Sequence, residues 1–138
     1  MTVKPSESGT TYRTRLIKSI VLAIRKLMQK EKPDKESLDM AAFVVLALEK
    51  IEESIDTSAT AWEKRDYWLK ADRFRMEWGW TEGRRLALQQ AVLAQEWGAI
   101  PSELILVAQH FNKIEVSDKN RLGKPWIGAW KVLKERAQ

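Results

Sequence analysis

His110 is the only histidine in the 138-residue chain, and cysteine is absent. Zinc and iron sites that need several His or Cys ligands, thiol nucleophiles and disulfide frameworks are therefore excluded. A base at His110 would need an orienting partner within hydrogen-bond reach, and the sequence names none. Beside Phe111 in a helical stretch, the imidazole reads as a partly buried or capping group. Glu49, Glu52, Glu53 and Asp56 recur at spacings of three and four, which puts several carboxylates on one side of a helix. Such a cluster could take Mg²⁺ or Ca²⁺ with help from elsewhere, but neither an EF-hand loop nor a Glu-x-x-His pair accompanies it. Gathered at a helix C-terminus, these acids would oppose the macrodipole and call for basic neighbours, which the first helix is expected to supply.

The Gly-x-x-x-x-Gly-Lys, Gly-x-Gly-x-x-Gly and Gly-x-Ser-x-Gly patterns are all missing, so phosphate-loop, dinucleotide and nucleophile-elbow chemistry lack their minimal residues. The expectation is a protein without catalytic constellation, cofactor or metal. An enzyme built on His110 and the carboxylate cluster is the weakest of the readings.

Seven tryptophans are many for this length. At helical spacing Trp serves as a core or interface anchor with a polar edge. Trp97 and Trp130 read as core, and Trp68, Trp80 and Trp126 as candidate partner-binding anchors, with a groove between the third and last helices as the natural seat for a partner. A basic excess near the C-terminal end includes Lys119, Arg121, Lys124, Lys131 and Lys134. These lysines and the arginine could contact phosphates while exposed Trp stacks on unpaired bases.

The sharpest sequence pattern is a helix-turn-helix skeleton over Gln90 to Gln109, with Ala94, Gly98 and Leu104 at the small, glycine and aliphatic positions and Leu93, Trp97 and Val107 as core. Its second helix would present Pro101, Ser102, Ile105, Leu106 and Gln109, with Glu103 adding the wrong charge. Major-groove reading needs donors and acceptors from Arg, Lys, Asn and Gln. The pattern describes a helical corner and not a DNA reader.

The elements that would position these groups are all helical. Met1 to Thr10 has no periodicity and reads as a flexible tail, leaving residues 11–138 as one domain. Leu16, Ile17, Ile20, Val21, Ile24, Leu27 and Met28 define an amphipathic helix over residues 11–32, stopped at Pro33. Asp34 can cap a second helix to about Ile55 whose apolar residues nearly encircle it, the mark of a central helix. A third helix is expected from a Thr57-Ser58 cap to Trp78, carrying a Trp62, Leu69, Met76 stripe and a neighbouring Tyr67, Ala71, Phe74, Trp78 face. Thr81 would cap a fourth helix ending at a Trp97-Gly98 glycine stop, and Pro101 or Ser102 would begin a fifth. After a loop from Asn112 to Lys124, Pro125 would start the last helix. Glu-Trp-Gly occurs at residues 77–79 and 96–98, suggesting two similar corners. The fold class is all-α, an irregular or orthogonal bundle of five to six helices.

Charge is partitioned along the chain. Residues 11–32 hold seven cations against one acid, whereas residues 34–56 hold seven acids against two cations. Opposite charges of this kind favour an antiparallel hairpin and its register more than they add stability. The net charge is +5. With no apolar segment near the length a bilayer requires and no export signal, the expected location is the cytoplasm. The functional expectation is a non-catalytic regulatory or adaptor protein that binds another protein through a Trp-containing helical surface, with a homodimer as one form. A nucleic-acid-binding protein using the C-terminal basic surface is the alternative.

Overall fold

The computed structural model describes residues 8–138. Among them six helices follow one another: α1 Gly9–Met28, α2 Lys35–Glu63, α3 Trp68–Glu77, α4 Thr81–Leu93, α5 Ile100–Gln109 and α6 Ala129–Arg136. No strand is present among the described residues. Most of the expected N-terminal tail lies outside the described residues, but its end does not. Ser8 accepts the Thr11 backbone N–H at 3.1 Å, so α1 begins two residues ahead of the expected start.

Helix α2 is the centre of the molecule, packed against α1, α3, α4 and α6, while α5 lies on α4 and α1. The near-continuous apolar circumference read from its sequence is what this position requires. Val44, Val45, Leu48 and Ile51 are essentially sealed from solvent together with Ile20 of α1, Leu88 and Val92 of α4, and Leu104 and Val107 of α5. Burying each such side chain stabilises the fold by about 1.5 to 3 kcal/mol.

The α1–α2 hairpin is tied at both ends. At the turn, Asp34 accepts the Ser37 N–H at 2.9 Å while the Ser37 hydroxyl accepts the Asp34 N–H at 3.1 Å, a reciprocal cap. Lys30 reaches Asp34 and Glu36, each at 3.0 Å. The Lys30 ammonium, followed by the Ser37 amide, draws the Asp34 carboxyl down to about 2. At the far end Arg13, buried at 8 % exposure, donates to the hydroxyls of Ser54 and Ser58 at 2.9 and 3.1 Å. Its guanidinium lies 4.9 Å from the Phe74 ring centroid.

Several boundaries differ from the sequence expectation. Thr57 and Ser58 do not cap a helix; α2 continues through them to Glu63, and the Thr57 hydroxyl donates back to the Glu53 carbonyl at 2.9 Å. Termination comes instead at Asp66, held at φ 64°. The Tyr67 N–H bonds the Trp62 carbonyl at 2.9 Å and the Asp66 N–H the Glu63 carbonyl at 3.0 Å, the paired bonds of a Schellman motif. Helix α4 ends the same way at Gln95, φ 51°, with Glu96 N–H to Ala91 and Gln95 N–H to Val92, both at 2.9 Å. Gly98 is therefore not the stop of α4. The two Glu-Trp-Gly stretches also differ: the first ends α3, whereas the second follows a helix already closed.

Pro125 does not start α6. Residues 125–128 form turns, Gly128 takes φ 83°, and the helix begins at Ala129. Its N-terminus is capped from α2: the Asp39 carboxylate accepts Gly128 N–H at 3.2 Å and Trp130 N–H at 3.0 Å. That long-range cap fixes where α6 begins.

Candidate functional site

The carboxylate cluster sits inside α2, because the helix continues beyond it. Its cations come from α3, α4 and α6 and not, as the charge pattern suggested, from α1. Arg85 makes a short bond to Glu52 and lies 3.9 Å from Glu49; Arg136 reaches Glu49 at 2.7 Å; Arg75 lies 3.4 Å from Asp56 and 2.7 Å from Glu63. Glu49, Glu52 and Asp56 thus fasten the outer helices to the central one, while Glu53 is exposed to solvent. Among the described residues no group of three His, Asp or Glu side chains is arranged to hold a metal ion.

His110 ends α5 and stacks on Trp80, with ring centroids 3.7 Å apart. Trp78 and Phe111 complete this cluster. Burial, with Arg84 as a second cause, holds the imidazole pKa below its ordinary value. Among the described residues no carboxylate is hydrogen-bonded to His110, and its ring is engaged by the Trp80 stack.

Helices α4 and α5 form the corner that the helix-turn-helix skeleton describes, with Leu104 and Val107 buried. Ser102, Ile105 and Gln109 face outward. Glu103 turns toward Arg84, 4.0 Å away. The exposed face of α5 carries no Arg or Lys.

The structure separates the three tryptophans singled out as anchors. Trp126 is 2 % exposed, and its indole N–H donates to Glu36 at 3.2 Å; it is a core residue and is unavailable as a surface anchor. Trp80 is half-buried, with one face taken by His110. Trp68 stands on the surface at 57 % exposure. Trp97 and Trp130, expected in the core, are partly buried against it.

Trp68 is not isolated. Tyr67, Leu69 and Met76 are also largely exposed, Met76 at 79 %. Leu69 and Met76 are seven residues apart, two turns along one face of α3. The opposite face, with buried Ala71 and partly buried Phe74 and Trp78, packs on the core. A helix of ten residues with two apolar faces can bury only one against α2. The sequence displayed both stripes; counting them against the neighbours available to so short a helix would have found the unpartnered one.

Beneath Trp68 runs a shallow groove of about 580 Å³, lined by Trp62, Tyr67, Leu69 and Phe74 among others. Trp62 and Phe74 meet edge-on at 4.9 Å, and the Lys70 ammonium lies 4.4 Å from the Trp62 centroid. All its lining residues belong to the end of α2, the turn and α3, so it is not the expected groove between the third and last helices. The tight Schellman turn holds Tyr67 and Trp68 in place without a flexible linker.

The C-terminal cations are exposed but do not form a uniform surface. Lys124 lies 3.6 Å from Glu36, and Lys134 sits 5.9 Å from the Trp130 ring centroid. Lys119, Arg121 and Lys131 project to solvent. With Trp126 buried, the indole nearest Lys124 in sequence cannot stack on a base.

No helix among the described residues is long and apolar enough to cross a membrane. Comparison of the chain with protein-family models, curated proteins and solved structures returns no match.

Proposed function

We propose that this chain is a non-catalytic adaptor or regulatory protein that binds another protein through the α2–α3 corner, with Trp68 and Leu69 as its anchors. The observation that carries this reading is the second apolar face of α3, where Leu69 and Met76 stand exposed beside Trp68 of the first turn and Tyr67 of the preceding turn, on a helix already packed by its other face. Large apolar side chains clustered on a rigid element, with aromatic members and neighbouring cations such as Lys70 and Arg73, have the composition of an interface centre. Self-association is one form this docking takes. The arrest of Glu49, Glu52 and Asp56 in ion pairs supports a role without chemistry.

The test is sedimentation velocity over a range of concentrations, together with photo-crosslinking from a reactive side chain placed at Leu69 and, as a control, at Lys131. Self-association, or a discrete heterologous product formed only from position 69, should be abolished by Trp68→Ala. A chain that stays monomeric and yields no Trp68-dependent product refutes the reading.

A further inference from the structure

Between Leu69 and Met76 on the outer face of α3 stand Asp72 and Arg73, at the i+3 and i+4 positions that complete one helical stripe. All four residues are exposed. The next arginine of the helix, Arg75, turns to α2 and pairs with Asp56 and Glu63. Asp72 and Arg73 do not: neither side chain has an ion-pair or hydrogen-bond partner among the described residues. The outer stripe thus holds one acid and one base unanswered within the chain, flanked by two apolar side chains that are also unanswered.

The order along this stripe is apolar, acidic, basic, apolar, and that order complements itself when reversed. Two copies of α3 laid antiparallel about a two-fold axis between Asp72 and Arg73 would set Leu69 of each against Met76 of the other, and Asp72 of each against Arg73 of the other. A two-fold interface requires a patch that is its own complement. A parallel arrangement would instead oppose acid to acid and base to base. In the antiparallel register Trp68 falls opposite Glu77 of the second copy, a residue that lines the groove and whose carboxylate can accept the indole N–H.

We propose that the partner of the α3 surface is a second copy of this chain, packed antiparallel through Leu69, Asp72, Arg73 and Met76. The proposal rests on the reading of the α2–α3 corner as a docking surface and supplies its occupant. The apolar pairs provide the attraction, and the crossed charges set orientation and register. A ten-residue helix is about 15 Å long, which puts the contact at the small end of specific interfaces and the dimer in the micromolar range.

The experiment is sedimentation velocity of the full chain at low salt over micromolar to millimolar concentrations, with charge-reversed variants whose folding is checked by circular dichroism. Asp72→Arg and Arg73→Asp each oppose like charges across the axis and should weaken the dimer about tenfold or more. An equimolar mixture of the two should dimerise again, because each supplies what the other lacks, and the double variant Asp72→Arg/Arg73→Asp should dimerise like the wild type. Orientation is read separately: the chain has no cysteine, so oxidation of mixed Leu69→Cys and Met76→Cys should give the 69–76 product in preference to 69–69 or 76–76. A chain that is monomeric at every concentration overturns the proposal, as does a dimer that both single reversals leave intact or one that gives mainly the 69–69 product. The docking reading itself survives the first result if position 69 still crosslinks a different protein in a Trp68-dependent way, and survives the other two if Trp68→Ala dissolves the dimer.

Discussion

The imidazole of His110 lies flat on the Trp80 indole, with centroids 3.7 Å apart and planes within 2° of parallel. This stack fastens the end of α5 to the start of α4, and Phe111 seals it by meeting Trp80 edge-on at 5.5 Å. An imidazolium over an indole face would gain from the ring's quadrupole. Desolvation and the nearby Arg84 oppose the charge, and the imidazole pKa lies below 6.5.

Because His110 is the only histidine, its proton signal can be followed by NMR without assignment ambiguity. The folded midpoint should fall below 6.5 and return toward it in Trp80→Ala. The unfolded chain takes up its proton near 6.5 and the folded chain only at lower pH. Between those values the unfolded state binds more protons, so stability declines as pH drops through that window and is complete above it. His110→Phe should remove this segment of the pH–stability curve. A folded midpoint above 6.5 would mean that the cation–π attraction dominates.

Asp66 and Gln95 occupy left-handed backbone, at φ 64° and 51°, in the position where helices favour glycine. A side chain there costs about 1 to 2 kcal/mol. Asp66→Gly and Gln95→Gly should therefore each raise the urea midpoint, by about 1 kcal/mol of stability after the greater entropy of an unfolded glycine is allowed for. Gly98, whose φ is not positive and whose added Cβ would meet nothing within 4 Å, should accept alanine without loss. A lower midpoint for both glycine variants would show that the Asp66 and Gln95 side chains hold these turns.

These two corners also show why the sequence was legible in some places and not in others. The apolar spacing of Leu16 to Leu27 and of Met40 to Ile51 marks two helices, the second of them the central one, because a fully buried face leaves a periodic trace. The Asp34–Ser37 cap is equally local. Helix ends at Asp66 and Gln95 carry no such mark: Asp enters left-handed backbone more readily than most residues but is as common in helices and caps, Gln seldom enters it, and Gly98 is a more conventional stop nearby. Trp126 was misplaced for a different reason. Its neighbours Pro125 and Ile127 are exposed, and its burial depends on Glu36, ninety residues earlier. The exposure of Leu69 and Met76 leaves no local trace in the sequence, because their helical spacing is that of a packing stripe.

Asp39 exemplifies a contact with no local signature. Its carboxylate accepts the Gly128 and Trp130 amides at 3.2 and 3.0 Å, capping α6 from α2. Removing a capping acceptor costs about 0.5 to 2 kcal/mol. Asp39→Ala should destabilise by that amount and raise amide exchange first at residues 129–131, with the α3 amides unchanged. Asp39→Asn keeps an acceptor oxygen and should recover part of the loss. Equal protection of α6 in wild type and Asp39→Ala would show that packing of Leu133 alone fixes the helix start.

Gly83 and Gly9 make a matched pair for testing helix packing. Gly83 lies within the first turn of α4, and a Cβ there would meet nothing within 4 Å. Alanine removes backbone freedom from the unfolded chain and favours the helix, so Gly83→Ala should stabilise by about 0.5 to 1 kcal/mol. At Gly9 the same Cβ would stand 3.1 Å from the Arg13 guanidinium and 3.2 Å from the Ser58 hydroxyl. Those atoms are engaged with each other at 3.1 Å, and the guanidinium has Phe74 on one side. Gly9→Ala should therefore gain less than Gly83→Ala, or lose stability, when both are compared by chemical denaturation. In Gly9→Ala combined with Arg13→Met, the flexible thioether can move aside and the helical gain should reappear. If Gly9→Ala alone stabilises as much as Gly83→Ala, the Arg13 network yields freely and does not constrain the start of α1.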